Sequence, residues 1–212
     1  MSCTTPATTA AGPSGFDSPA VESEPSAPAE EVTPAPVVTL PAPEPVSGPV
    51  TSRARPRRLE GRLGTPLKRN WKYVIIHHSG TDTGSEASFD RYHREHKGWR
   101  GVGYDFVIGN GRGSRDGLVE VTFRWEQQTT GAHANSDEYN RYGIGICLVG
   151  NFDRDRPTAR QMDALVALVN YLQRRCDIPT EHIYGHRHVR PGGTHCPGHN
   201  FPWFELMSRL RH

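Results

Sequence analysis

The placement of proline constrains this chain more than any other feature. Thirteen of its 18 prolines precede Lys68, in text such as PSAPAEEVTPAPVVTLPAPEP, where Pro, Ala, Glu, Ser and Thr dominate and aromatic residues are nearly absent. A segment of that composition cannot bury enough apolar surface to offset the entropy of ordering it. Residues 1–66 are therefore expected to form a disordered, partly polyproline-like tether. Although 212 residues allow one or two domains by length, this division leaves one, residues 67–212. The tether is acidic as far as Ser52 and then basic in RARPRRLEGR, so the net charge of +2 hides two opposed blocks. That run reads as a solvated linker end rather than a contact with an anionic polymer, and no nucleic-acid partner is expected.

No run near the N-terminus is apolar enough for a signal-peptide core or a transmembrane segment. Cys3 stands where a lipid anchor could be attached, but no lipobox surrounds it, and an incidental cysteine is the simpler reading.

From Trp71 onward about 142 residues carry a globular pattern, enough for one well-buried core. WKYVIIHH is a continuous β-branched run ending in polar residues, which predicts a buried central strand. SEASFDRYHREHKGW has helical spacing and is closed by Gly98. GYDFVIGNG and DGLVEV predict two strands joined as a hairpin, and YGIGICLVGNF another buried strand. TARQMDALVALVNYLQRRC opens with a Thr158/Gln161 capping box and puts Met162, Leu165, Val166, Val169 and Leu172 on one face, the clearest helix in the chain. HIYGH predicts a short strand and FPWFELMSRL a terminal helix. Alternation of this kind, with one hairpin, predicts a single α/β domain with a central mixed sheet flanked by helices.

The four cysteines, Cys3, Cys147, Cys176 and Cys196, are too few and too scattered for a disulfide framework. Cys147 lies in a strand pattern and reads as a small buried hydrophobe, and Cys176 ends a helix. Cys196 differs because it lies in GHRHVRPGGTHCPGH, among four histidines. Zinc takes His nitrogen and Cys thiolate in tetrahedral geometry, and a catalytic zinc keeps three protein ligands and one open position. A distant strand end supplies further candidates in His77 and His78. A lone histidine there would be merely hydrogen-bonded; two separated His clusters with a cysteine favour zinc.

VIIHHSGT, GWRGVGYDFVIGNG, GAHANSDEYNRYGIGICLVGNFD and GHRHVRPGGTHCPG, in this order, resemble successive motifs of the zinc-dependent N-acetylmuramoyl-L-alanine amidases. That family shares a fold with T7-type lysozyme and the peptidoglycan recognition proteins. The resemblance runs from about Trp71 to the C-terminus, and four ordered motifs make it specific. It implies a central mixed sheet with one zinc ion per chain at the bottom of a groove that receives a peptidoglycan or muropeptide strand.

Carried over residue by residue, the resemblance makes His77 the first ligand, with His78 on the opposite side of a regular strand. It makes Cys196 the third ligand. For the second, GH followed by Arg187 picks His186 at the longer of two family spacings, whereas the shorter spacing lands on His188, which occupies the usual aspartate place. Tyr104 matches the tyrosine whose hydroxyl stabilises the oxyanion; read alone, it would be a hairpin tyrosine packed on the sheet. Thr194 occupies a position held by lysine or threonine in relatives. A threonine is a poor acid or base, so its implied role is to orient water. His133 and Asn135 match groove positions and are implied substrate contacts. Relatives that recycle muropeptides in the cytosol carry a glutamate at the position of Cys147, which argues against that branch. His93, His96, His195 and His199 read as surface or helix-end histidines.

The implied reaction is hydrolysis of the amide between the lactyl group of N-acetylmuramic acid and L-alanine of the stem peptide, with zinc lowering the pKa of a water towards ~7 and polarising the carbonyl. A monomer acting in the cell envelope or outside the cell, in the periplasm if Cys3 is an anchor, is the matching expectation. The main alternative is a non-catalytic peptidoglycan-binding module of the same fold; the presence of Cys196 and Tyr104 favours catalysis. A regulatory partner role has no support in the residues, and a structural zinc would require a fourth protein ligand.

Overall fold

The computed structural model describes residues 63–210. Most of the expected tether, with its basic run and Cys3, lies outside the described residues. Leu63 is buried, the Tyr171 hydroxyl donates to its carbonyl at 3.0 Å, and Arg175 donates to the Thr65 carbonyl at 2.8 Å. The chain is thus packed on the domain a few residues before the 66/67 boundary drawn from composition.

A mixed five-stranded sheet forms the centre. Strand β1 (Tyr73–His78) pairs in parallel with β4 (Gly143–Leu148) on one side and β5 (Ile183–Gly185) on the other. On the far side of β4 lies β2 (Phe106–Ile108), also parallel, and beyond it β3 (Val119–Val121) returns antiparallel, giving the order β3-β2-β4-β1-β5. The expected hairpin is therefore present at one edge, and the apolar run of β1 is central, as a strand buried on both faces should be.

Side chains alternate across the sheet, and the two faces differ. Val74, Ile76, Ile144, Ile146, Phe106 and Ile108 join the main core. Helix α4 (Ala159–Cys176) covers that face with Met162, Leu165, Leu168, Val169 and Leu172, and α5 (Trp203–Arg209) adds Leu206. Val166, expected among the buried residues of α4, is only partly buried against this core, and Leu168 takes its share. The Thr158/Gln161 capping box forms as expected. Gln161 also donates from Nε2 to the carbonyls of Ile108 (3.1 Å) and Val149 (2.9 Å), so the helix start is fastened to β2 and to the end of β4.

The opposite face carries His77 and Cys147, with Ile75 and Val107 each in a smaller apolar cluster. Helix α1 (Glu86–Lys97) contributes Phe89 to one of them but buries no residue fully, and ends at Gly98 in the left-handed region, φ 64°. Two short helices, α2 (Phe123–Gln127) and α3 (Asp137–Tyr142), were not anticipated; five or six residues hold too little of a 3.6-residue period to show in the sequence. The site described next lies on this thinly covered face. Among the described residues no helix is long and apolar enough to cross a membrane.

Candidate metal centre

His77, near the end of β1, His186, in a 3-10 turn (His186–His188) that directly follows β5, and Cys196 converge. Each offers one donor atom, and the three lie within 4.8 Å of one another. His77 Nδ1 is 3.7 Å from Cys196 Sγ. Tetrahedral zinc with its usual bond lengths sets a nitrogen and a sulfur about 3.6 Å apart. Nε2 of His186 is buried and has no hydrogen-bond partner among the described residues, while the Ala134 backbone bonds to the same ring. A buried nitrogen without a partner, beside a thiol and a second imidazole, is the donor set that suits a borderline-soft cation, so the residues fit zinc.

The strand, the 3-10 turn and the loop that supply these atoms are cross-tied. Arg187 donates from its backbone to the Cys196 carbonyl (2.8 Å) and from its guanidinium to the Gly198 carbonyl (2.8 Å), locking the turn of His186 to the loop of Cys196. Cys196 Sγ accepts from the His78 amide at 3.4 Å, which seats the thiol over the end of β1.

His188 points elsewhere. Its Nδ1 accepts from the Gly185 amide at 3.2 Å and its ring meets Trp203 edge-on, so the trio includes His186 and not His188. His78, on the other face of β1, accepts at Nδ1 from the Phe152 amide at 3.0 Å.

Electrostatics suit the ligand roles. Burial pushes His77 well below the usual imidazole range and His186 down to about 4, so both are neutral at pH 7 with a lone pair to offer. Burial pushes the Cys196 thiol up to about 12. The neutral thiol is therefore preferred unless a cation stands beside it, and a coordinating thiol is deprotonated by its metal.

His133, an expected groove residue, is held on both sides. It is 7% exposed, with Nδ1 3.1 Å from His77 Nε2 and Nε2 3.4 Å from the Gly143 carbonyl. With both ring nitrogens engaged inside the fold, it stands behind His77, the place that the outer partner of a metal-bound histidine would take. Room for it comes from Gly145 in β4, where an added Cβ would lie 2.6 Å from the His133 ring. The role was invisible in the spacing, but an isolated glycine within a strand is the sign of such a close approach. Asn135 is exposed, in the left-handed region at φ 49°, and marks the turn into α3.

The Tyr104 ring lies 5.2 Å from that of His77. Burial holds its pKa well above the usual value, so it remains a proton donor at neutral pH. Its backbone is clamped: the Tyr104 carbonyl accepts from Thr122 Oγ1 (2.8 Å), and the neighbouring Asp105 exchanges hydrogen bonds with Gly145 through its amide (2.9 Å) and Oδ2 (2.8 Å). Cys147, read as a small buried hydrophobe, is buried as expected and in addition faces Tyr104, directly across the ladder from His77. Thr194 is partly exposed at the rim, and its Oγ1 accepts from the Cys196 amide at 3.2 Å.

A cleft of about 430 Å³ opens beside Tyr104, lined by residues that include Ser79, Gly84, Phe89, Tyr92 and His93. A larger cavity of about 800 Å³, bordered by Asn170, Gln173 and Arg174 of α4, shares no residue with that cleft or with the His77, His186 and Cys196 trio, and an opening of about 730 Å³ includes Cys196 and Thr194.

Comparison with known proteins points the same way. The model of the N-acetylmuramoyl-L-alanine amidase family matches residues 67–199. Peptidoglycan-recognition protein SC2 of Drosophila melanogaster is 34% identical over an alignment of 153 residues that covers 68% of this chain and 77% of that protein. Among solved structures, the N-acetylmuramoyl-L-alanine amidase LysC from Clostridium intestinale URNW is similar at a TM-score of 0.58 and 30% identity, over 69% of this chain and 92% of the other. A mutant of Drosophila PGRP-LB in complex with tracheal cytotoxin is similar at a TM-score of 0.52 and 27% identity, over 72% of this chain and 95% of the other.

Proposed function

The chain belongs to the N-acetylmuramoyl-L-alanine amidase family, and from that premise we propose that it hydrolyses the amide between the lactyl group of N-acetylmuramic acid and L-alanine of the stem peptide, with one zinc ion held by His77, His186 and Cys196. The observation that carries this reading is the convergence of those three donors, from positions more than 100 residues apart in the case of His77 and the other two, beside the ring of Tyr104.

Zinc bound there would supply a Lewis acid that polarises the scissile carbonyl and makes a water nucleophilic at neutral pH. The chain's own residues do the rest. His133 holds the His77 ring from behind. Tyr104, kept protonated by burial, donates to the carbonyl oxygen as negative charge grows on it, a role for which the donor must be in place before reaction. Thr194 accepts from the Cys196 amide, which leaves its own proton free to point toward solvent and orient the attacking water. The cleft beside Tyr104 is the place for the glycan-peptide strand.

By the same reading residues 67–212 are the amidase domain, the chain before them a tether whose last residues, from Leu63, pack on that domain, and the site of action the cell envelope or the extracellular space. A non-catalytic peptidoglycan-binding module is the second reading, favoured by relatives named as recognition proteins, one of them in complex with tracheal cytotoxin. Digestion of purified sacculi separates the two. The amidase reading expects stem peptides with a free N-terminal L-alanine, identified by mass spectrometry and abolished by chelation. Binding to sacculi without release of any peptide would favour the module instead.

A further inference from the structure

A second cluster of donors lies on the surface near the first and shares no residue with it. A carboxylate oxygen of Asp153 and one ring nitrogen each of His195 and His199 lie within 4.8 Å of one another, all three residues being exposed. The His195 and His199 rings meet edge to face with centroids 4.4 Å apart, and His199 Nδ1 is 2.8 Å from Asp153 Oδ1.

The backbone holds these side chains together. The Gly198 amide donates to the His195 carbonyl at 2.7 Å, which closes the turn between the two histidines. The His199 amide donates to Asp153 Oδ1 at 3.0 Å, and Asn200 binds the carbonyls of Phe152 (2.8 Å) and Asp153 (3.2 Å). Gly198, at φ 105°, runs so close to the Phe152 backbone that a Cβ there would collide with it. This close approach sets His199 over Asp153, so the donors are gathered by the fold and need little ordering to accept an ion.

Two imidazoles and one carboxylate, with the remaining positions open to water, suit a divalent first-row transition metal such as zinc. We propose that Asp153, His195 and His199 form a second, surface site for such an ion. An ion there would fasten the loop that follows β4 to the loop that carries Cys196, since Asp153 belongs to the first and both histidines to the second. Exposure makes it the weaker of the two sites, filled after the buried trio.

The test is a metal titration of the full-length apo-protein. With zinc in equilibrium dialysis, the wild-type chain should bind two equivalents, and His199→Ala and Asp153→Asn one. Titration with Co²⁺ separates the sites, because only the buried trio contains a thiolate. The first equivalent should bring thiolate-to-cobalt charge-transfer absorption, and the second should bind without adding to it. Cys196→Ser should lose that absorption yet keep the equivalent that His199→Ala removes. Asp153→Asn retains the acceptor for the His199 amide, and so reports on the site even if His199→Ala does not fold. One equivalent in the wild type at saturating zinc would overturn the proposal. So would a second equivalent that both variants retain.

Discussion

At the scale of single residues, the question that mattered was which histidine of GHRHVRPGGTHCPGH joins Cys196. Counting positions allowed His186 and His188, because two spacings occur in the family. The difference is made by a 3-10 turn (His186–His188) that directs His186 inward, where Nε2 is buried without a partner, and sends His188 back to the Gly185 amide and Trp203. His186→Ala should therefore abolish stoichiometric zinc at the buried site, whereas His188→Ala should retain it, as measured by elemental analysis with the cobalt–thiolate band as a check. Tyr104→Phe should keep the metal and lower kcat on the order of 100-fold, the usual cost of removing one oxyanion donor. His133 shows what spacing cannot reveal. Its match to a groove histidine was legible, but its partner across 56 residues, His77, becomes visible only once β1 and β4 lie side by side.

At the scale of elements, the long periodic segments were readable because they are long. Helix α4 shows five turns of pattern and a capping box, and β1 is a run that only a two-sided core can absorb. The short helices α2 and α3 escaped because tertiary contacts hold them; the buried Trp125 of α2, stacked 6.0 Å from Trp71, is one such anchor. Two substitutions test how elements carry the site. Gln161→Ala removes half of the capping box and leaves the Val149 carbonyl without its donor, while the Ile108 carbonyl keeps only the Val149 amide; this should cost about 2 kcal/mol in denaturant unfolding. Gly145→Ala lies at the centre of β4, far from any ligand in sequence. Its Cβ would push on the His133 ring, and zinc affinity should fall about 10- to 100-fold, the usual effect of disturbing a ligand's outer partner. An unchanged affinity in Gly145→Ala would mean that His133 does not orient His77.

At the scale of the whole molecule, one face of the sheet supplies stability and the other chemistry. The face under α4 holds the main core, while the face of His77 is thinly covered and collects neutral imidazoles. That division has a pH signature in the metal-free protein. Burial lowers His77, His133 (to about 3) and His186 (to about 4) in the folded state, against about 6.5 unfolded. Above pH 6.5 both states are neutral and the fold keeps its full stability. As pH falls from 6.5 toward 4 the unfolded chain takes up protons that the folded one refuses, and stability should decline through that window. Thermal melts of the metal-free protein between pH 7.5 and 4.5 should show a falling Tm. A flat profile would contradict the buried, neutral state of these rings.

The trio on the open face is proposed to serve amide hydrolysis. A defined muropeptide, N-acetylmuramic acid carrying its stem peptide, tests it most directly: incubate it with the zinc-loaded protein and label newly formed amino termini. New N-terminal L-alanine should appear in step with free N-acetylmuramic acid, and none with Cys196→Ser. A folded, zinc-loaded wild-type protein that binds the muropeptide and leaves the lactyl–alanine bond whole would contradict it.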